Sequence, residues 1–147
     1  MRAHSETRRN VEQFVRGYVE AALWSTMDES DAGGGRPLDE NFGPADIARS
    51  SLKSMRRECA RFLKQNRRQL AAYGKHLIRR GGSSSSMERA GRDFWLTRNG
   101  HGAGFWSRDY DAGQEDVGDR LTVAAHRFGA SDLYVGDDGH LYVSPER

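Results

Sequence analysis

DFWLTRNGHGAGFWSR, spanning Asp93 to Arg108, sets two Phe-Trp pairs on either side of a glycine-rich, cationic turn. Phe94-Trp95 and Phe105-Trp106 form the densest apolar surface in the chain. Between them Arg98, Asn99 and His101 alternate with Gly100, Gly102 and Gly104, whose backbone reaches conformations closed to other residues. As architecture, the first pair closes a helix and the second opens a strand, so the stretch is the joint between a helical half and a sheet. As chemistry, Trp95, Arg98, Asn99, His101 and Trp106 make a candidate turn for a ligand or partner, with glycine N–H groups forming a concave nest. The packing reading weighs more, because aromatic pairs flanking a turn supply contact area before anything else.

Upstream of this joint, Val11, Phe14, Val15, Tyr18, Ala22 and Leu23 recur at helical spacing and predict an amphipathic helix from Asn10 to Met27, with Asn10 as its cap. DESDAGGGRPLDENFG, Asp28 to Gly43, is acidic and holds three consecutive glycines, so a long loop, mobile near its glycines, is expected. A second long helix is expected from Ser51 to Tyr73 with Gly74 as its stop. Leu52, Met55, Cys59, Phe62, Leu63, Leu70 and Tyr73 share one arc of that helix. Lys53, Arg56, Arg57, Arg61, Lys64, Arg67 and Arg68 fill an adjoining arc free of acids.

RRGGSSSS within residues 75–86 reads as a flexible connection. Ser85 and Glu88 match a capping box for a third helix that ends near Thr97. Downstream of the joint, Gly104 to Arg108 reads as a short strand, and a fourth helix is expected from Asp119 to Phe128. Leu133-Tyr134-Val135 and Leu141-Tyr142-Val143 flank an Asp-Gly pair, which is a strong hairpin signal. The whole predicts one α+β domain over residues 1–147: two long antiparallel helices and two shorter ones, packed on a three-stranded antiparallel sheet near the C-terminus.

Charge and cysteine content narrow the function. One cysteine among 147 residues excludes an internal disulfide and a cysteine-based zinc site. No apolar run approaches the ~20 residues needed to span a bilayer, and the first ten residues lack the apolar core of a secretory signal, so a cytoplasmic protein without membrane contact is expected. The net charge of +2 hides a strong segregation: from Arg49 to Arg80 eleven basic residues face one acid, Glu58, so this segment carries +10 and the rest of the chain −8. Such asymmetry calls for an anionic partner or an internal match. The acids between Asp109 and Asp119 fail calcium-loop spacing, since Gly113 and Arg120 stand where carboxylates are required. No metal or other cofactor is expected.

ALWST at Ala21 to Thr26, PLDENFGPADIA at Pro37 to Ala48, DFWLTRNGHGAGFW at Asp93 to Trp106 and DLYVGDDG at Asp132 to Gly139 together resemble a family of small proteins encoded by bacteriophages and prophages. The resemblance implies an accessory protein made in the bacterial host's cytoplasm, and it carries no fold, ligand or activity with it. Binding is therefore the expected mode of action, to nucleic acid or a nucleic-acid-handling host complex, through the seven cations named above. Two alternatives stand beside it. One is an inhibitor of a host protein anchored by Trp95, Trp106 and the turn; the other is a small hydrolase or transferase using His101 and Arg98, with Asp137 or Asp138 orienting the imidazole if the hairpin tip folds over the turn.

Overall fold

The structure, a computed structural model, describes residues 2–30, 34–79, 86–108, 110 and 112–145. It is an α+β fold. Among the described residues five α-helices surround an aromatic core, and one small antiparallel sheet lies near the C-terminus: α1 Arg2–Ser25, α2 Arg49–Gln65, α3 Arg67–Arg79, α4 Ser86–Arg98, α5 Glu115–His126, β1 Asp132–Val135 and β2 Leu141–Ser144. Among the described residues no helix is long and apolar enough to cross a membrane.

The amphipathic stripe of α1 does what its spacing predicts: Phe14, Val15, Tyr18, Ala22 and Leu23 are all buried. The helix starts well before Asn10, because the preceding residues include good helix formers that leave no stop signal. Its main neighbour is α4. Arg16 meets Glu88, Glu20 meets Arg92, and Trp95 Nε1 donates to Ser25 Oγ at 3.0 Å, so the two helices run in the same direction. They approach so closely that a Cβ on Gly17 would fall on the Glu88 carbonyl and one on Gly91 on the Phe14 carbonyl. Glycine at both positions is a condition of this contact.

The predicted second helix is two helices. Asn66 leaves helical geometry at φ −127°, its side-chain amide donates to the Phe62 carbonyl at 2.9 Å, and its own carbonyl accepts from Leu70 N–H at 2.9 Å. One asparagine thus ends α2 and begins α3, a role its short side chain suits. Gly74 does not stop α3. It lies buried within it near Ser86, at glycine's helix cost of about 1 kcal/mol. Residues 75–79 of the expected flexible connection are therefore helical; its remainder, with the proposed Ser85 cap, lies outside the described residues.

Phe62, Phe94, Phe105 and Phe128 form the centre of the core. Phe62 stacks on Phe94 with ring centroids 4.2 Å apart and on Phe105 at 5.7 Å, while Phe128 meets Phe94 edge-on at 5.1 Å. Burying each ring contributes about 1.5–3 kcal/mol. The fourth predicted helix is α5, displaced toward the N-terminus, with Val117, Leu121 and Ala125 buried.

The hairpin forms as its sequence predicts, with Leu133 opposite Val143 and Tyr134 opposite Tyr142. Leu133, Leu141 and Val143 point into the core while the two tyrosines stack outside with centroids 6.0 Å apart. The third strand does not form. Phe105 to Ser107 is a single 3-10 turn, and the edge of β2 is met instead by an isolated bridge from Ile47, with Ala48 N–H donating to the Leu141 carbonyl at 2.8 Å. Phe105 is held inward by its N–H bond to Thr97 Oγ1 at 3.1 Å, so it packs as a core ring and cannot pair as a strand.

The Gly17–Gly91 contact gives a direct expectation. Gly91→Ala must push α1 and α4 apart and should lower unfolding stability by about 2 kcal/mol or more, read as a drop in the denaturant midpoint. A change below about 0.5 kcal/mol would show that the helices are not in this contact.

Candidate functional site

The candidate residues of the turn separate by depth. Arg98, at the last position of α4, directs its guanidinium into the core, where its side chain has 0% exposure. Its Nη1 donates to Glu58 Oε1 at 3.0 Å and to the Tyr18 hydroxyl at 2.9 Å; Nε and Nη2 donate to the Gly129 and Phe128 carbonyls at 2.8 and 3.0 Å. The Phe94 and Phe128 ring centroids lie 5.5 and 5.8 Å from the guanidinium carbon. Burial works against the charge, yet Tyr18 and Glu58 together hold the Arg98 pKa above its ordinary value. Arg98 therefore cannot serve as a substrate ligand or as part of a cationic turn. The sequence missed this because its partner Glu58 lies forty residues away.

A second buried carboxylate, Asp93, stands one turn earlier on α4. It accepts from the Tyr73 hydroxyl at 2.6 Å and from Arg108 Nε and Nη2, at 3.0 and 2.6 Å. The fork-on-carboxylate geometry raises the Arg108 pKa, the hydrogen bond to Asp93 contributing most. Arg108 thereby pins the end of the distinctive segment back onto its beginning.

Between these two anchors the chain turns. Gly100 has φ +68°, its N–H donates to the Thr97 carbonyl at 3.1 Å, and His101 N–H reaches back to the Leu96 carbonyl at 3.0 Å. This is a Schellman ending, which explains Gly100 without any ligand. Trp95 is 1% exposed and Trp106 51% exposed, so the two tryptophans do not form a joint surface anchor. For the inhibitor alternative only Trp106 stays available. The hairpin tip lies away from the turn: Asp138 accepts from the Tyr142 hydroxyl and His140 N–H, and it shares a shallow depression with Pro44 and Arg49. No pairing of His101 with Asp137 or Asp138 results.

What the turn does line is a cleft of about 490 Å3 at the C-terminal ends of α1 and α4. Asn99 and His101 contribute to its wall, and Asn99 ties it together by donating to the Trp95 carbonyl at 3.0 Å and accepting from Ser131 N–H at 2.8 Å. Asp28 and Asp132 enter from the segments on either side. Sequence reasoning treated Asp28 only as part of a loop. The loop is in fact closed by backbone bonds, Asp28 N–H to the Arg36 carbonyl at 2.7 Å and Leu38 N–H to the Thr26 carbonyl at 2.9 Å, and Asp28 is itself buried while accepting from Ser30.

The seven cations lie on a different surface, and all are exposed. Lys53, Arg56, Arg57, Arg61 and Lys64 belong to α2, whereas Arg67 and Arg68 begin α3, so they do not share one continuous helix face. Arg56 is paired with Glu12 of α1, which raises its pKa, chiefly through that hydrogen bond. Arg61 rests over the Phe128 ring at 5.2 Å. No ion pair engages the other five among the described residues. The acidic loop leaves them open: Glu40 pairs with Arg36 and Asp46 accepts from Gly43 N–H, both within the loop. Cys59 is fully buried, and burial pushes its thiol pKa well up, so it packs as a core residue and is no nucleophile.

No family model, no curated protein and no solved structure matches this chain.

The buried phenols make the fold alkali-sensitive. Tyr18 and Tyr73 are raised above the usual value, foremost by burial and then, for Tyr73, by the Asp93 charge; Tyr110 is raised in the same way. Below pH ~10 both folded and unfolded chains keep these protons. Above it the unfolded chain releases them while the folded chain does not, so stability falls as pH rises past ~10. Absorbance at 295 nm and circular dichroism, followed together through alkaline titration, should show these three of the five tyrosines ionising only with loss of structure. Smooth ionisation of all five in a folded protein would contradict the packing.

Proposed function

We propose that this chain is a phage-type accessory protein that acts by binding, and that its partner is nucleic acid, alone or within a nucleic-acid-handling host complex. The contact surface is the outer side of α2 and the first turn of α3, with Lys53, Arg57, Lys64, Arg67 and Arg68 as the phosphate-facing cations. One observation carries the reading: these five stand exposed and outside any ion pair among the described residues, while in the 28–46 loop Glu40 pairs with Arg36 and Asp46 accepts from the Gly43 N–H. The alternative of a solvated, internally neutralised face is supported only at Arg56, through Glu12.

The physical basis is counterion release. α2 has 17 residues, about 25 Å at ~1.5 Å per residue, long enough for its cations to follow several phosphates. Arg61, leaning on Phe128, adds charge next to this surface without being as free to move. Such contacts read the backbone and not the bases, so affinity should depend weakly on sequence. Nothing in this arrangement performs chemistry on the nucleic acid.

Fluorescence anisotropy with a labelled oligonucleotide at increasing salt tests the reading. Five phosphate contacts predict a log–log slope of about −4.5 on duplex DNA and about −3.5 on single strands. Reversing Arg57, Lys64 and Arg68 to Glu together should abolish binding while circular dichroism stays unchanged, since all three side chains are exposed. A flat salt response, or full binding by the triple variant, removes the proposal.

A further inference from the structure

Where α2 gives way to α3, a groove of about 550 Å3 opens between that junction and the N-terminal half of α1. Leu63 of α2, Leu70 of α3, Val11 of α1 and Met87 of α4 line it with aliphatic side chains. Leu63, Val11 and Met87 are only half-buried, so apolar surface stays open to solvent beside the most basic part of the molecule. Lys64 and Arg67 line the same groove and are both exposed. No aspartate or glutamate lines it among the described residues. Arg8, exposed and in no ion pair among the described residues, adds a further cation one turn before Val11 on α1.

An aliphatic floor between cations discriminates among forms of nucleic acid. A duplex keeps its bases stacked inside and offers its charged backbone, which Lys64 and Arg67 could hold but which leaves the groove unused. A single strand carries phosphates and uncovered base faces together, and both halves of the groove then find a partner. The two are joined covalently, so a strand whose phosphates follow α2 brings its next base to the junction. The volume lies within the ~300–1,000 Å3 of ordinary small-molecule sites, which accommodates a base with its sugar. Contact through the flat apolar face of a base removes surface from water without reading its edge, in keeping with weak sequence dependence.

We propose that the nucleic acid this protein takes is single-stranded, and that one unpaired base lies in the groove over Leu63, Leu70, Val11 and Met87 while Lys64 and Arg67 hold the neighbouring phosphates. The proposal rests on the nucleic-acid reading of the basic surface and specifies which form that surface accepts.

Anisotropy with three labelled probes of equal length separates the two claims: oligo-dT, the dA·dT duplex, and an abasic single strand that keeps the phosphates and lacks the bases. Oligo-dT should bind about tenfold tighter than the abasic strand, and tighter than the duplex at physiological salt. Ala60→Gln combined with Ala71→Gln, both at exposed positions in the groove wall, fills it without altering charge. This variant should bind oligo-dT no better than the abasic strand, with duplex affinity and circular dichroism unchanged. If the pair disturbs the fold, Ala60→Gln alone carries the same test. Equal affinity for oligo-dT and the abasic strand, or a preference that survives the filled groove, overturns the single-strand proposal and leaves the phosphate contacts standing. Failure of the unaltered protein to bind any of the three removes the nucleic-acid reading itself, and the proposal with it. Binding of oleate that is lost on filling the groove, without any preference for bases, gives the groove to an anionic amphiphile and also overturns the proposal.

Discussion

Four helical segments meet on one guanidinium. Arg98 leaves the end of α4, bonds Glu58 of α2 and Tyr18 of α1, and caps the carbonyls of Phe128 and Gly129 just beyond α5. Transferring such a charge from water is expensive, and the cost is offset only when donors and acceptors match closely. Here four donor contacts are made and two aromatic rings pack near the cation, although Glu58 Oε2 lacks a hydrogen-bond partner among the described residues. Removing either ionic partner would strand the other charge in an aromatic core. The cluster therefore admits one relative placement of these helices and disfavours neighbouring ones.

Both candidate surfaces follow from that placement. With α2 held by Glu58 and Phe62 on its inner side, its lysines and arginines have only the outer side left to them. With the last turn of α4 drawn inward by Arg98, the Schellman turn after it carries Asn99 and His101 to the cleft wall, and Asn99 fastens the start of the hairpin there. Asp93 and Arg108 close the same segment from the other end. The distinctive stretch from Asp93 to Arg108 is thus a structural clasp whose outer edge forms part of a cleft.

Much of this was legible in the chain. The stripe of α1, the Asp-Gly hairpin and the ending of a helix just before Gly100 rest on local periodicity and turn chemistry, which act over a few residues. Asn66 and Gly74 were harder, since each is compatible with a helix interior or its end; Asn66 ends α2 through its own bond to the Phe62 carbonyl, while packing at a distance set Phe105 against Phe62 in place of a third strand. Arg98 was misread because a cation beside glycines resembles a ligand-binding turn. A signal did exist. Glu58, the one acid in a segment of eleven bases, sits one turn from Met55 and Phe62 on the apolar arc, where an acid must find a buried partner. The cleft was invisible, because Asp28, Ser131 and Asp132 come together only after the loop closes and the hairpin docks.

The central claim is that Arg98 and Glu58 form a coupled buried pair on which the helix arrangement rests. A double-mutant cycle of Arg98→Met and Glu58→Leu, each variant followed by urea unfolding, measures that coupling directly. Each single change should cost about 3–5 kcal/mol, and the double variant should be more stable than the sum of the two by at least about 1.5 kcal/mol, because no stranded charge is left. Costs that simply add, to within about 0.5 kcal/mol, would mean that the two residues do not meet in the core and would contradict the account.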